Sequence, residues 1–267
     1  MEKTNNDIVI IGAGNVATHL AQKLFSEGCC IRQIFSRTEN AAHTLAEKVN
    51  AVPITDLRRT DKAADLYIIA VKDDAIASVL PYLACVRGLV VHTSGSAGIE
   101  VFENCRINNY GVLYPMQTFS KKRAIDFHEV PFFIEACDEE NLHAVSALAH
   151  IFSDHVTVTT SEQRRKIHLG AVFACNFTNH MYALTEQILK EAGVPFEIMR
   201  PLINETVQKT KEMSPVEAQT GPAVRYDKTV MNKHLRLIED IRTKEIYIKI
   251  SESIHAFAEK RDKETNE

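Results

Sequence analysis

The stretch Ile8-Val-Ile-Ile-Gly12-Ala13-Gly14-Asn15-Val16-Ala17 decides the fold. Four consecutive branched apolar residues read as a short strand buried on both faces, and the glycines follow it at once. The spacing is G-x-G-x-x-A. Gly12 permits a tight turn, Gly14 lets backbone approach a pyrophosphate, and Ala17 lets the following helix pack closely on the strand. The pyrophosphate would then rest on the free N–H groups of Ala13 to Val16 and the positive end of that helix.

The pattern continues outward in the same style. Apolar runs recur at Ile8–Ile11, Ile31–Phe35, Leu66–Val71, Leu89–His92, Asn109–Tyr114, Phe132–Glu135 and His155–Val158. Helical stretches lie between them at Asn15–Glu27, Ala41–Lys48, Ala75–Ala84 and Glu139–Phe152. This alternation predicts a doubly wound, mostly parallel α/β sheet. After Thr160 the period changes. Ser161–Gly193 reads as one long helix with Gly193 and Pro195 as its stop, and Ser161 with Gln163 gives a partial capping signal. Helices at Phe196–Met213, Lys228–Glu239 and Ile241–Arg261 complete an all-helical part, with a frayed, charged tail RDKETNE. The expected organisation is a dinucleotide-binding domain over residues 1–158 and a helical domain over 159–267.

The second strand predicts which dinucleotide. It ends in Ser36-Arg37-Thr38, where an NAD site places Asp or Glu to hold the ribose 2′-hydroxyl. A guanidinium flanked by two hydroxyls suits a 2′-phosphate, so NADP is the expected cofactor. The alternative is a solvated Arg37 with Glu39 in the acidic role. S-adenosylmethionine enzymes share glycine-rich turns, but they also favour an acid at this position.

Ligands of such sheets lie beyond the carboxyl ends of the strands. The loops expected there carry Val71 and Lys72, then His92-Thr93-Ser94-Gly95, then Tyr114-Pro115-Met116-Gln117. The first should pass the adenosine ribose and pyrophosphate, with Asp73 and Asp74 read as helix caps or ligand contacts. The second should lie near the nicotinamide ribose, and Pro115 could aim Gln117 into the cleft. On the long helix, Arg165, His168, Asn176, Asn179 and His180 fall within about 120° of a wheel drawn at about 100° per residue. Such a stripe faces water, a partner or a ligand. His168 is then the acid/base candidate and Asn176 a positioning donor, since imidazole titrates near neutral pH. Thr220–Asp227 is a Gly-Pro turn that would present Arg225 to an anion, or be held by an Arg225–Asp227 pair.

Composition limits the alternatives. A net charge of −4 over 267 residues gives no reason to expect nucleic acid. The apolar runs are too short for a membrane span, and the first residues have no signal-peptide architecture. The six cysteines form no CxxC pair and read as buried, reduced thiols of a cytoplasmic protein, while the histidines show no metal-ligand spacing.

Taken together, the segments IGAGNVATHLA, FSRT, AVKDDAI, VVHTSGS, GVLYPMQTFS, IHLGAVFACNFTNHM and TGPAVRYD resemble one family. It is the uncharacterised Rossmann-like group related to pyrroline-5-carboxylate reductase and the coenzyme-F420-dependent NADP oxidoreductases. The layout is more distantly similar to ketopantoate reductase and 6-phosphogluconate dehydrogenase. This resemblance implies NADP binding and a homodimer formed largely through the helical domain. The lysine–asparagine helix pair of the hydroxyacid dehydrogenases is not evident, because Asn176 has Val172 one turn before it and His168 two turns before it. The combined expectation is hydride transfer between NADP(H) and a small carbonyl, imine or hydroxyl substrate, with His168, Asn176 and Arg225 facing that substrate. The alternative is a sensor or scaffold that binds NADP(H) without turnover.

Overall fold

The computed structural model describes residues 7–265, so the charged ends MEKTNN and Asn266-Glu267 lie outside the described residues. Contacts divide the chain into two compact units, the first reaching Cys175 and the second beginning at Asn176.

The first unit runs β1 (Asp7–Ile11), α1 (Asn15–Ser26), β2 (Cys30–Phe35), α2 (Glu39–Lys48), β3 (Val52–Ile54) and β4 (Leu66–Ile69). It continues with α3 (Asp73–Val79), β5 (Leu89–His92), β6 (Tyr110–Pro115), β7 (Phe132–Ala136), α4 (Glu139–His150), β8 (Val156–Val158) and α5 (Ser161–Ala171). The strands form one sheet in the order β3-β2-β1-β4-β5-β6-β7-β8. Every pairing is parallel except β6 with β7, where Leu113 sits opposite Ile134. The order of strand addition reverses between β1 and β4, which run parallel, and this is the switch point at which such sheets open a crevice.

The doubly apolar strands are explained by the two cores they separate. Ile8 and Ile10 of β1 pack with Leu20 and Leu24 of α1, Leu45 of α2 and Leu148 of α4. Val9 and Ile11 face the opposite side, with Ile76 and Val79 of α3 and Phe102. The central strands β1, β4, β5 and β6 are therefore shielded from solvent on both faces, as a parallel sheet covered by helices requires, while β2, β3 and β8 keep exposed residues.

Three expectations need correction here. β3 was not foreseen: it is a three-residue edge strand with a proline at its centre, Pro53 pairing with Ile34. Proline is tolerated at an edge because a missing N–H costs no ladder bond there. The cysteines are not a buried set; Cys30, Cys85 and Cys175 are exposed and Cys29, Cys105 and Cys137 half-buried, all as free thiols. The apolar runs did not bury them because Cys30 opens β2 on its exposed face and Cys85 sits in a turn with φ 63°. The long helix is not uniform either. α5 gives way at Val172–Phe177 to a π-type turn before α6 (Thr178–Glu191). A π turn inserts about one residue per turn, shifting the phase by roughly 100°. The single wheel through Arg165, His168, Asn176, Asn179 and His180 therefore does not hold.

Within the second unit, α6 ends ahead of Gly193, as expected, and α7 (Arg200–Glu212) follows. α8 (Pro215–Ala218) is a single turn closed by a reciprocal Ser214–Glu217 cap inside what the sequence suggested was a loop. α9 (Lys228–Leu237) and α10 (Ile241–Thr265) complete the chain, α10 carrying helix through most of the tail expected to fray. Strand is absent after Val158 among the described residues. No helix among them is long and apolar enough to cross a membrane.

Candidate functional site

The turn after β1 is built as the glycine spacing demands. Gly12 has φ +126°, and a Cβ there would lie 2.2 Å from the Ala70 carbonyl oxygen, so only glycine fits. Its N–H donates to the Phe35 carbonyl at 2.9 Å, tying the turn to the end of β2. Gly14 differs: a Cβ there would meet nothing within 4 Å. Protein packing does not require this glycine, whereas a ligand lying against the backbone would. Gly14 is the N-cap of α1 and supplies no side-chain cap, so the first N–H groups of α1, beginning with Asn15 and Val16, have no side-chain acceptor from the cap. Ala13 is buried, and Gly14 and Asn15 are exposed.

At the end of β2 the Arg37 side chain is exposed, and among the described residues it has no carboxylate partner. Ser36 accepts from the Thr38 N–H through Oγ at 3.4 Å, which shapes the turn around it. Glu39 belongs to α2 and faces His43 one turn on, at 3.8 Å. This corner fits a phosphate dianion: an exposed guanidinium with no carboxylate partner among the described residues, set between two hydroxyl-bearing residues.

After β4, Val71 borders Gly12, its Cγ1 lying 3.5 Å from the position a Cβ there would take, and Lys72 is exposed at the start of α3. Asp73 and Asp74 occupy the first turn of α3, where carboxylates favour the helix dipole. Asp73 also accepts a short hydrogen bond from the Ser96 hydroxyl. The loop after β5 is folded on itself. Ser94 Oγ accepts from the N–H groups of Ser96 and Ala97 at 3.1 and 2.9 Å, and Thr93 Oγ1 reaches the Ile69 carbonyl at 3.5 Å. His92 is a correction: its ring is completely buried, stacks on Phe102, and accepts from the Ser94 N–H at Nδ1, so it supports the loop instead of facing a ligand. Burial, reinforced by the positive charge of Arg164, pushes its pKa down to about 4.

Helix α5 is fastened over this loop by side chains that a sequence reading places at the surface. Its N-cap is Thr160, one residue earlier than expected, in a full capping box with Gln163. Ser161 is thereby free to donate its hydroxyl to Glu135 on β7 at 2.7 Å while accepting from the Ile99 N–H at 2.9 Å. Arg164 is completely buried, makes a short ion pair with Glu135, and donates to the Ala97 carbonyl at 2.8 Å. Arg165 donates to the Ser96 carbonyl at 3.1 Å and pairs with Glu100. One turn later His168 comes down on Gly95. A Cβ at Gly95 would sit 2.7 Å from the His168 ring and 2.8 Å from Tyr114 Cζ. Glycine is what allows these two rings to meet. Tyr114 Oη lies 2.9 Å from His168 Nδ1, with the rings edge-to-face. Burial pushes the Tyr114 phenol up to about 12, so it stays protonated. The sequence placed Tyr114 at the end of an apolar run and at the head of the loop Tyr114–Gln117 expected at this edge, but nothing in its neighbours announced His168.

A second unforeseen contribution comes from the segment after β6. Gln117 is exposed, and its side chain folds back on its neighbour, Oε1 accepting from the Thr118 N–H at 2.7 Å. Phe119, Ser120 and Lys121 instead lie back over the glycine turn. Asn15 Nδ2 donates to the Phe119 carbonyl at 2.9 Å, His19 Nε2 lies 2.9 Å from the Ser120 carbonyl, and Lys121 Nζ donates to the Ala13 carbonyl at 2.7 Å.

Asn176 and Arg225 belong to the second unit and are both exposed. Asn176 lies in the π-type turn, so the wheel that aligned it with His168 no longer supports that pairing. An Arg225–Asp227 pair is not formed among the described residues; Asp227 caps α9 through the Val230 N–H at 3.1 Å. Tyr226, with φ 51°, stacks on His255 to hold the turn instead.

The fold and turn define an open α/β sheet with a dinucleotide-type crevice, and comparison with known proteins agrees. Residues 7–94 match the family described as NADP oxidoreductase, coenzyme F420-dependent, and residues 130–254 match a domain of unknown function, DUF2520. A candidate NADP oxidoreductase from Bacteroides fragilis is 48% identical, over 94% of this chain and 98% of that one, with a TM-score of 0.89. A Thermotoga maritima protein is 23% identical over 94% and 99% of the two chains, at TM-score 0.76. A pyrroline-5-carboxylate reductase from Coxiella burnetii is 18% identical over 96% and 98%, at TM-score 0.58, and shares the fold. No curated protein matches. The chain belongs to the family, shared with the Bacteroides fragilis protein, that joins a coenzyme-F420-dependent NADP oxidoreductase segment to DUF2520.

Proposed function

We propose that the chain is an NADP-dependent oxidoreductase acting on a small carbonyl, imine or hydroxyl substrate. The observation that carries this reading is the placement of the Tyr114–His168 pair on Gly95, in the loop that follows β5 at the carboxyl edge of the sheet. That edge is where the turn Gly12–Val16 also opens, and where ligands of such sheets bind. The backbone of Gly12, Ala13, Gly14, Asn15 and Val16 would hold the pyrophosphate. Ser36, Arg37 and Thr38 would hold the 2′-phosphate, favouring NADP over NAD. Val71, Lys72 and the Thr93–Gly95 backbone would border the ribose groups. Bound there, the nicotinamide supplies or accepts the hydride. His168 would serve the proton side of the reaction, with Asn176 and Arg225 of the helical part as candidates for substrate positioning.

The same reading assigns residues 1–158 to the cofactor and 159–267 to substrate and pairing, in a cytoplasmic homodimer. Pairing is supported by how little the helical unit buries: within it only Ala223, Ser251 and Ala258 are buried among the described residues, while Leu202, Leu237, Ile241 and Phe257 are exposed. Light scattering of the full chain should give twice the monomer mass.

The test of function is NADPH oxidation across a panel of keto acids, aldehydes and cyclic imines, with wild type and His168→Ala side by side. Turnover lost on substitution supports the reading. Tight NADPH binding without turnover on any substrate supports the sensor instead.

A further inference from the structure

We propose that Tyr114 fixes the tautomer of His168, so that the imidazole presents Nε2–H as a standing hydrogen-bond donor and selects a carbonyl oxygen over groups that must themselves donate. This rests on the oxidoreductase reading for its substrate, but not for the tautomer. Tyr114 is a positioning residue here; His168 is the group that would touch substrate.

The geometry leaves the hydroxyl one protein partner. Tyr114 is buried, and among the described residues its Oη hydrogen-bonds to His168 Nδ1 alone, at 2.9 Å. A buried O–H that accepted from Nδ1–H would leave its own proton unpaired, which is costly. The favourable arrangement has Oη–H donating to the Nδ1 lone pair. A neutral imidazole that accepts at Nδ1 carries its proton on Nε2. The ring packs on the bare backbone of Gly95, so close that a Cβ there would lie 2.7 Å from its Cγ and Nδ1, and it crosses the Tyr114 ring at 81°. A fixed, neutral N–H donor polarises a carbonyl and meets the negative charge that grows on its oxygen as hydride arrives. It offers no lone pair to the N–H of an iminium or the O–H of an alcohol.

The test uses uniformly 15N-labelled full-length protein and long-range proton–nitrogen correlation of the imidazoles. His168→Gln identifies the His168 signals by their loss. In wild type, Nδ1 should resonate as an unprotonated nitrogen and Nε2 as a protonated one; in Tyr114→Phe both should move toward the average of mixed tautomers. A protonated Nδ1 in wild type overturns the proposal, as does a Tyr114→Phe spectrum that is folded and unchanged. For substrate choice, cyclopentanone, whose carbonyl only accepts, and pyrrolidinium, which only donates, are titrated with and without NADP+. The first should shift the Nε2 signal and the second should not. A shift from pyrrolidinium, or from neither, overturns the substrate assignment. None of these signals needs turnover. A chain that fails to bind or oxidise NADPH in a parallel assay therefore defeats the functional reading while the tautomer is still read.

Discussion

Arg164 and Glu135 form an ion pair between the first turns of α5 and strand β7, with the guanidinium wholly out of solvent. The same guanidinium reaches the Ala97 carbonyl, and Ser161 shares the carboxylate, so the pair also fixes the loop that carries Gly95. Removing one partner strands the other. Arg164→Met should cost about 3–5 kcal/mol in denaturant unfolding, and adding Glu135→Gln should restore part of that loss. Additive losses would mean that the two side chains are not energetically coupled.

The glycines of the first turn should separate fold from binding. Gly12→Ala places a methyl group against the Ala70 carbonyl at a positive φ and should prevent a stable fold, at a cost above roughly 3 kcal/mol. Gly14→Ala meets only open space, so its melting temperature should stay near wild type. NADPH binding to it should weaken by roughly tenfold or more, or about 1.4 kcal/mol. Gly14→Ala protein that binds NADPH normally would remove the pyrophosphate from this turn.

Much of this architecture is legible in the sequence because parallel strands announce themselves. Ile8–Ile11 and Leu66–Ile69 are continuous apolar runs, and both cores use them. What escapes reading is whatever depends on distant partners. Arg164 reads as a surface charge until Glu135 is found opposite it. The edge strand Val52–Ile54 is too short to show a period. The polar stripe was half informative: Arg165 and His168 do meet the loop after β5, but the π-type turn at Val172–Phe177 leaves no compositional mark and breaks the wheel beyond it.

His92 makes stability depend on pH. Its folded pKa is about 4 against an ordinary 6.5, because burial excludes the charged form. Between those values the unfolded chain takes up a proton that the folded chain refuses. Stability should therefore be intact above pH 6.5 and fall as pH drops toward 4, by on the order of 3 kcal/mol in full. His92→Gln should flatten this window in chemical denaturation at pH 7, 6 and 5. An equal slope in the variant would place the acid sensitivity elsewhere.

For a histidine assigned to the proton side of the reaction and not to the phosphates, affinity and rate should part company. His168→Gln should lower kcat by roughly 10²–10⁴-fold while NADPH affinity changes less than about twofold. Stopped-flow and fluorescence titration check the two separately. An unchanged kcat would remove His168 from the chemistry.

The central claim is that Ser36, Arg37 and Thr38 receive a 2′-phosphate beside the glycine turn. Calorimetric titration of the full chain with NADPH and with NADH tests it most directly, in wild type and in Arg37→Ala. NADPH should bind at least roughly tenfold more tightly to wild type, and Arg37→Ala should erase most of that difference while leaving NADH affinity nearly unchanged. Equal affinities in wild type, tighter NADH binding, or a preference that survives Arg37→Ala would contradict it.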